Sequence, residues 1–289
     1  MRDRVWLESG ELLAGFEKTA AVSVVIPCYR ADKTIERALA SVANQTCKPV
    51  EVIVVDDASG DTTRYRLHKL VEKYGSDWLK IHFLSENCGP ASARNFGWEQ
   101  ATQPFIAFLD ADDSWHRDKI ILQFSFMKQH PQISISGHSC GGVSILARKL
   151  PRNFQVTNYT LKKLLFRNCL QTPTVMLKSE LVLRFPMGSR FGEDYYLWLA
   201  LLKVGYQAVV IDLPLTTIHK AVYGASGQSA ELWQMEKGEL KALKAAFNRG
   251  SISSMQFGIA TVWSLFKYVR RVLLSCLRLS RPFLGLGVQ

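Results

Sequence analysis

Three carboxylates, Asp110, Asp112 and Asp113, stand within four residues of one another, directly after the apolar run of residues 104–109, PFIAFL. A short apolar run of this kind reads as a buried strand, so the acids sit where a strand ends. Like charges at this spacing repel and are costly to desolvate, and the cluster therefore calls for a cation. Hard oxygen ligands suit Mg²⁺ or Mn²⁺, and such an ion suits a diphosphate. The plainer alternative is a solvated acidic turn in which Asp113 or Ser114 caps the next helix. A second acidic pair, Glu193 and Asp194, precedes the apolar helical pattern of residues 195–203, where acids also favour the positive end of a helix.

The elements that must position these acids alternate through the first half of the chain. Residues 22–26, 51–55, 80–84 and 105–109 read as strands. Between them, residues 32–43, 61–74 (with Asp61 as cap and Gly75 as stop) and 90–101 read as helices. Strand–helix alternation predicts an α/β fold with a parallel sheet covered on both faces. Ligands of such sheets bind beyond the carboxyl ends of the strands. Pro27 to Tyr29, Asp56 with Asp57, Asn87 to Gly89, and Asp110 to Asp113 all fall there. The second half is less regular: a glycine- and serine-rich loop at 137–142, short strands at 174–177, 208–211 and 213–218, and a small-residue loop at 224–228. After Ala230 the pattern is helical to about Leu279.

The 289 residues suffice for one large domain or for one domain with a smaller appendage. Composition is that of a globular protein, with 47% hydrophobic and 21% charged residues. The 36 lysines and arginines against 25 acids leave a net charge of +11, which favours an anionic partner such as a nucleotide diphosphate, an anionic lipid surface or a nucleic acid. No recognition motif supports nucleic acid. Six cysteines without zinc spacing, and no secretory leader pattern in the first twenty residues, point to reduced thiols in a cytosolic setting.

Four segments taken in order, VSVVIPCY at 22–29, VVDDASGDT at 54–62, NCGPASARNFG at 87–97 and FLDADD at 108–113, resemble family 2 glycosyltransferases of the GT-A fold, over roughly residues 20–220. The resemblance implies a Rossmann-like, mostly parallel sheet with flanking helices, and an inverting hexosyltransferase that takes a sugar from a nucleotide-diphosphate donor, with a UDP-sugar as the expected donor. It implies that Pro27 and Tyr29 wall the base and ribose, and that Asp57 reads the base edge; the plainer reading of Asp56 and Asp57 is a helix cap or a turn, a role Asp61 could fill alone. Arg94 pairs with the diphosphate or, structurally, with Asp110 or Asp112. Asp112 and Asp113 are assigned to ribose and Mn²⁺ or Mg²⁺, with Asp110 behind them, and His219 completes the metal site. Asp194 is assigned as the base that takes the acceptor proton. Trp198, one turn on, lines an acceptor pocket or packs in the core, and Ser226 and Ser229 lie in the loop beyond. The Gln-x-x-Arg-Trp segment and the membrane spans of processive synthases are not visible, which favours the addition of one sugar. The alternatives are a non-catalytic nucleotide-sugar or glycan-binding module of the same fold, and a nucleotidyltransferase, whose glycine-rich activation loop is missing near the first strand.

The expected division is a catalytic domain at 1–230, with a nucleotide-binding half at 20–130 and an acceptor-binding half at 131–230, followed by a helical extension at 231–289. In the extension Ile259, Val262, Phe266, Val269, Leu273 and Leu277 recur at helical spacing, with Lys267, Arg271 and Arg278 opposite and Arg270 nearby. A basic amphipathic helix of this kind can lie on an anionic leaflet or pack on the domain or a second subunit. The first outcome predicts a peripheral enzyme on the inner face of the cell membrane, working on a glycan or polyprenyl-linked acceptor. The oligomeric state is left open.

Overall fold

The computed structural model describes residues 4–8, 18–142, 145, 149–188, 190–219 and 231–279, with side chains to residue 275. The loop at 224–228, with Ser226 and Ser229, lies outside the described residues, as do the side chains of Leu277 and Arg278. In chain order the elements begin β1 (Arg4–Glu8), β2 (Thr19–Cys28), α1 (Ile35–Ala43), β3 (Lys48–Asp56), α2 (Thr63–Tyr74), β4 (Leu79–Phe83), α3 (Pro90–Gln100) and β5 (Phe105–Phe108). They continue with β6 (Ser114–Trp115), α4 (Lys119–Gln129), β7 (Ile133–Gly141), β8 (Asn153–Tyr159), α5 (Leu161–Phe166) and β9 (Met176–Lys178). The last are α6 (Glu193–Lys203), β10 (Gln207–Thr217), α7 (Leu232–Asn248) and α8 (Ser254–Leu279).

One sheet runs β1-β8-β10-β7-β9-β5-β2-β3-β4, with β6 paired to β10. Strands β5, β2, β3 and β4 are parallel neighbours, as are β7 and β10. Short β9 is inserted antiparallel between β5 and β7, so the two parallel groups still run the same way. Val22, Val24, Val25, Ile26 and Val52 to Val55 are fully buried, as residues of a sheet covered on both faces must be. Helix α1 covers one face through Ile35, Ala38, Leu39 and Val42. Helix α3 covers the other at very short range: a Cβ on Gly97 would meet Val25 Cγ1 at 2.5 Å.

The four strands and three helices expected in the first half match the observed β2 to β5 and α1 to α3. Elsewhere the chain differs from expectation in four ways. Residues 137–141 are not a loop but the end of β7, paired with β10 from Gly137 opposite Val210 to Gly141 opposite Thr217. Its two glycines stand where neighbours crowd the strand: a Cβ on Gly137 would meet Leu170 Cδ2 at 2.7 Å, and one on Gly141 would meet Ile145 Cγ2 at 2.8 Å. The two expected strands at 208–211 and 213–218 are one strand, β10, interrupted by register shifts around Pro214. The helical stretch after Ala230 is two helices, broken at 249–253. Strands β1 and β8 and helix α4, which is buried along residues 119–127 and so carries no amphipathic stripe, have no clear sequence signal.

Helices α7 and α8 pack on α6 and its neighbours. Ala242, Leu243, Ala246, Ile252 and Ala260 belong to the same buried cluster as Leu197, Trp198 and Leu201 of α6. Among the described residues no helix is long and apolar enough to cross a membrane.

Candidate active site

Four loops leave β2, β3, β4 and β5 at one end of the sheet, and their polar groups are sewn together. After β2, Tyr29 is 45% exposed, and the Arg30 guanidinium lies 5.2 Å from its ring centroid. Arg30 and Ala58, at the ends of adjacent strands, both adopt positive φ, 48° and 54°, a conformation that costs a non-glycine residue free energy. They are held there by Ser59: the Arg30 N–H donates to Ser59 Oγ at 2.9 Å, and the Ser59 hydroxyl donates to Asp56.

The Asp57 carboxylate is buried and binds two backbone groups, accepting from Cys88 N and Gly89 N at 2.8 Å each. It thereby fixes the β4–α3 loop against β3, a structural duty absent from the sequence reading. Each oxygen keeps a further lone pair for a ligand. Arg190 donates to Asn87 Oδ1 at 2.6 Å and lies over Gly89, closing the loop from the far side.

Beyond β5 the chain turns sharply, with the Asp113 N–H donating to the Asp110 carbonyl at 3.1 Å. The next helix starts only at Lys119, so neither Asp113 nor Ser114 caps it. Instead Ser114 and Trp115 form β6 and pair with Thr217 and Thr216 of β10. This pairing delivers His219, just past Thr217, to the acidic turn: Nε2 lies 2.7 Å from Ser114 Oγ. Burial and then the positive charge of Arg37 depress the His219 pKa, against the pull of Asp112. Arg37 also donates to the Asp112 carbonyl at 2.7 Å. Cys140, at the end of β7, borders the same turn: burial, with the charges of Asp113 and Asp110, pushes its thiol up to about 12.

Among the described residues no group of three or more His, Cys, Asp and Glu side chains is arranged to hold a metal ion. The turn instead offers hard carboxylate oxygens beside His219. That fits an ion of the Mg²⁺ type, which takes one or two carboxylates and completes its shell with water and substrate phosphates.

Arg94 joins this turn to the second acidic pair. Its guanidinium is buried and donates to Asp110 Oδ1 at 2.9 Å and to Glu193 Oε1 at 3.1 Å. Asp110, and not Asp112, is therefore the partner in the turn. Burial works against the charge, but Asp110 and Glu193 prevail and raise the Arg94 pKa. The two acidic clusters are thus one guanidinium apart, although they lie about eighty residues apart in the chain.

Glu193 and Asp194 open α6 behind Gly192, whose φ is +71°. The close neighbour here is α7: a Cβ on Gly192 would meet the Gly238 carbonyl carbon at 2.7 Å, and one on Gly238 would meet the Phe191 oxygen at 2.5 Å. Asp194 Oδ1 accepts from Tyr195 N at 2.7 Å, and Thr172 Oγ1 stands 3.5 Å from Oδ2. Burial, then the charge of Glu193, raises the Asp194 pKa to about 7, the range in which a carboxylate can act as a general base near neutrality. Trp198 is fully buried and belongs to the core, not to a pocket.

Sequence reasoning passed over Arg37, Arg190 and Thr172. Arg37 and Arg190 are exposed and Thr172 is buried in a short 3-10 turn, and the duty of each appears only when distant segments meet.

A sheet of this order, with acids at the end of its fourth parallel strand and a second acid pair opening a helix beside them, is the architecture of GT-A glycosyltransferases. The family model described as Glycosyl transferase family 2 matches residues 23–181. The chain is 35% identical over 190 residues to the Escherichia coli UDP-Glc:alpha-D-GlcNAc-diphosphoundecaprenol beta-1,3-glucosyltransferase WfgD, covering 63% of this chain and 70% of that protein. It is 35% identical over 193 residues to the putative teichuronic acid biosynthesis glycosyltransferase TuaG of Bacillus subtilis, covering 65% and 74%. Similar solved structures include S. aureus TarS 1–349 in complex with UDP-GlcNAc, with a TM-score of 0.63 at 22% identity, over 84% of this chain and 71% of that one. Another is the Pyrobaculum calidifontis mannosyltransferase PcManGT with GDP-Man and Mn²⁺, with a TM-score of 0.63 at 20% identity, over 89% and 75%. The chain belongs to glycosyltransferase family 2 and is a glycosyltransferase of the GT-A fold.

Proposed function

We propose that this enzyme transfers a hexose, with inversion, from a nucleotide-diphosphate sugar of the UDP class to a hydroxyl of a lipid-linked glycan acceptor in bacterial surface polysaccharide synthesis. The observation that carries the reading is the Arg94 bridge. It holds the acidic turn and the Glu193–Asp194 pair side by side, so that a donor phosphate and an acceptor hydroxyl can meet between them. WfgD, with its diphosphoundecaprenol-linked acceptor, supports the acceptor class, and TarS with UDP-GlcNAc supports the donor class.

In this reading Pro27, Tyr29 and the free lone pairs of Asp57 receive the nucleoside. Asp112 contacts the ribose, and Asp112 and Asp113 would hold the divalent ion, with His219 beside them on Ser114. When bound, that ion neutralises charge on the departing diphosphate. Asp194 accepts the acceptor hydroxyl proton as its oxygen attacks the anomeric carbon from the face opposite the leaving group. Glu193 and Arg94 do not react. They position the two clusters, and Glu193 also helps tune Asp194. The segment 231–289 gives the enzyme a peripheral contact with the membrane that carries such an acceptor.

The deciding experiment is a thermal-shift screen of nucleotide sugars with and without Mn²⁺, followed by an assay of nucleotide release. Ligands that bind the folded state raise its melting temperature by mass action. The reading expects an Mn²⁺-dependent shift with UDP-sugars. A chain shifted by none of them would overturn it.

A further inference from the structure

Helix α8 is packed inside out. Its charged side faces the protein. Lys267 Nζ lies 2.5 Å from Glu239 of α7, and Arg271 lies 2.7 Å from Glu236, which is fully buried and also accepts from Ser264 at 2.9 Å. Its apolar side faces outward: Met255 is 72% exposed, Val262 70%, Phe266 59% and Leu273 58%, with Ile259 and Val269 on the same stripe. A groove of about 520 Å³ opens on this face, lined by Phe166, Gly258, Ile259, Val262, Trp263 and Phe266. The Trp263 indole donates to the Phe166 carbonyl at 2.8 Å, so its polar atom is already satisfied and the ring presents carbon. Contiguous apolar surface of this kind marks a binding face.

Charge identifies what covers it. No acid follows Glu239, whereas Lys241, Lys244, Arg249, Lys267, Arg270, Arg271, Arg278 and Arg281 do. Lys267 and Arg271 are neutralised by α7. Arg270 is exposed beside the apolar stripe, and Lys237, Lys241 and Lys244 form an exposed row on α7. A second copy of this face would bring the same uncompensated cations together. An anionic bilayer supplies both the hydrocarbon and the opposite charge.

We propose that α8 docks on an anionic lipid surface with its apolar stripe inserted, with Arg270 and the α7 lysines at the headgroups, and with Lys267 and Arg271 serving only to fasten α8 to α7. This rests on the peripheral contact proposed above and specifies its face and orientation. The sequence leaves open which cations meet the leaflet; here Arg270 and the α7 lysines do, while Lys267 and Arg271 face α7.

The test uses the full chain and co-sedimentation with phosphatidylcholine vesicles, with and without phosphatidylglycerol. The wild type is expected to bind the vesicles containing phosphatidylglycerol and to bind pure phosphatidylcholine weakly. Val262→Glu and Phe266→Glu should each weaken binding by about tenfold or more, with circular dichroism and melting temperature showing that the fold is kept. Arg270→Gln should weaken it, and Lys267→Gln should lower the melting temperature and leave vesicle affinity unchanged. A Lys267→Gln loss as large as that of Arg270→Gln overturns this orientation. A wild-type dimer that ignores vesicles and is dissociated by Val262→Glu overturns the lipid partner. The nucleotide-sugar thermal shift is measured on the same samples. A retained shift without vesicle binding sinks the docking alone, and vesicle binding without a shift sinks the enzymatic reading instead.

Discussion

The two acidic clusters are alike in composition and differ in what surrounds them. The turn at Asp110 to Asp113 forms at the carboxyl end of β5, in the middle of the sheet, with the Asp110 side chain 31% exposed and Asp113 buried. Glu193, at the start of α6, is only 8% exposed in its side chain. Both clusters share one cation, Arg94, which donates once to each. A turn that solvent reaches at Asp110 and Asp112 can exchange water for a divalent ion and phosphate oxygens. A carboxylate packed against another acid, with the shared arginine turned toward its neighbour, holds its proton longer, and Asp194 titrates at about 7. One guanidinium thus separates a place that collects positive charge from one that collects a proton.

The sharpest way to break this comparison is at Asp194. Asp194→Asn should lower transfer by about 10²–10⁴-fold, with nucleotide-sugar binding kept by thermal shift. In the wild type, transfer should fall as pH drops below about 7, because the carboxylate is then protonated. The stability effect has the opposite sign. A carboxyl whose pKa is raised on folding binds more protons folded than unfolded, so its contribution to stability is lost as pH rises from about 4 through about 7. Asp194→Asn should therefore melt higher than the wild type above neutrality, and equal melting temperatures at high pH would show that Asp194 is not a strained buried acid.

Removing the shared cation tests whether the clusters depend on each other. Arg94→Ala leaves Glu193 buried without its partner and should cost about 3–5 kcal/mol in chemical denaturation. Arg94→Lys should recover only part of that, since a point ammonium does not reproduce the planar fork that reaches both acids. Wild-type stability and activity in Arg94→Lys would mean that the bridge is incidental.

At the open cluster, chelation by EDTA should stop transfer and added Mn²⁺ restore it. His219→Ala should raise the Mn²⁺ needed for half-maximal activity by about 10–100-fold and leave the Asp194 pH profile in place. A shifted profile with unchanged Mn²⁺ demand would assign His219 to the wrong cluster. The smallest expected effect lies at the strand ends. Ala58→Gly relieves a positive φ and should stabilise the fold by about 0.5–1 kcal/mol net of glycine's added chain entropy, read as a raised denaturation midpoint.

Much of the first half was legible because its rules are local. A strand buried on both faces is a continuous apolar run, and its ligand-facing end is the polar residue that follows. Val22 to Ile26 followed by Pro27, and Phe105 to Leu109 followed by Asp110, could be read without neighbours. In the second half a strand end is set by what crosses it. Gly137 looked like a loop because Leu170, more than thirty residues on, was not yet beside it. His219 reached the acidic turn because β6 pairs with β10 across a hundred residues. For Asp57 the sequence offers a base contact or a local cap or turn, and the Cys88 and Gly89 amides that it holds belong to another loop.

The sequence by itself determined the family, the α/β order, the residues at four strand ends, and the fact that α8 has one apolar and one charged side. The tertiary structure decided how these meet. It showed that Arg94 links Asp110 to Glu193, that Gly192 and Gly238 leave room for α7 against the Glu193–Asp194 turn, and that the charged side of α8 is the one turned inward. Periodicity measures the angle between two faces of a helix, not which one has a partner. That choice depends on Glu236 and Glu239, whose carboxylates become the partners of Arg271 and Lys267 only when the chain folds back.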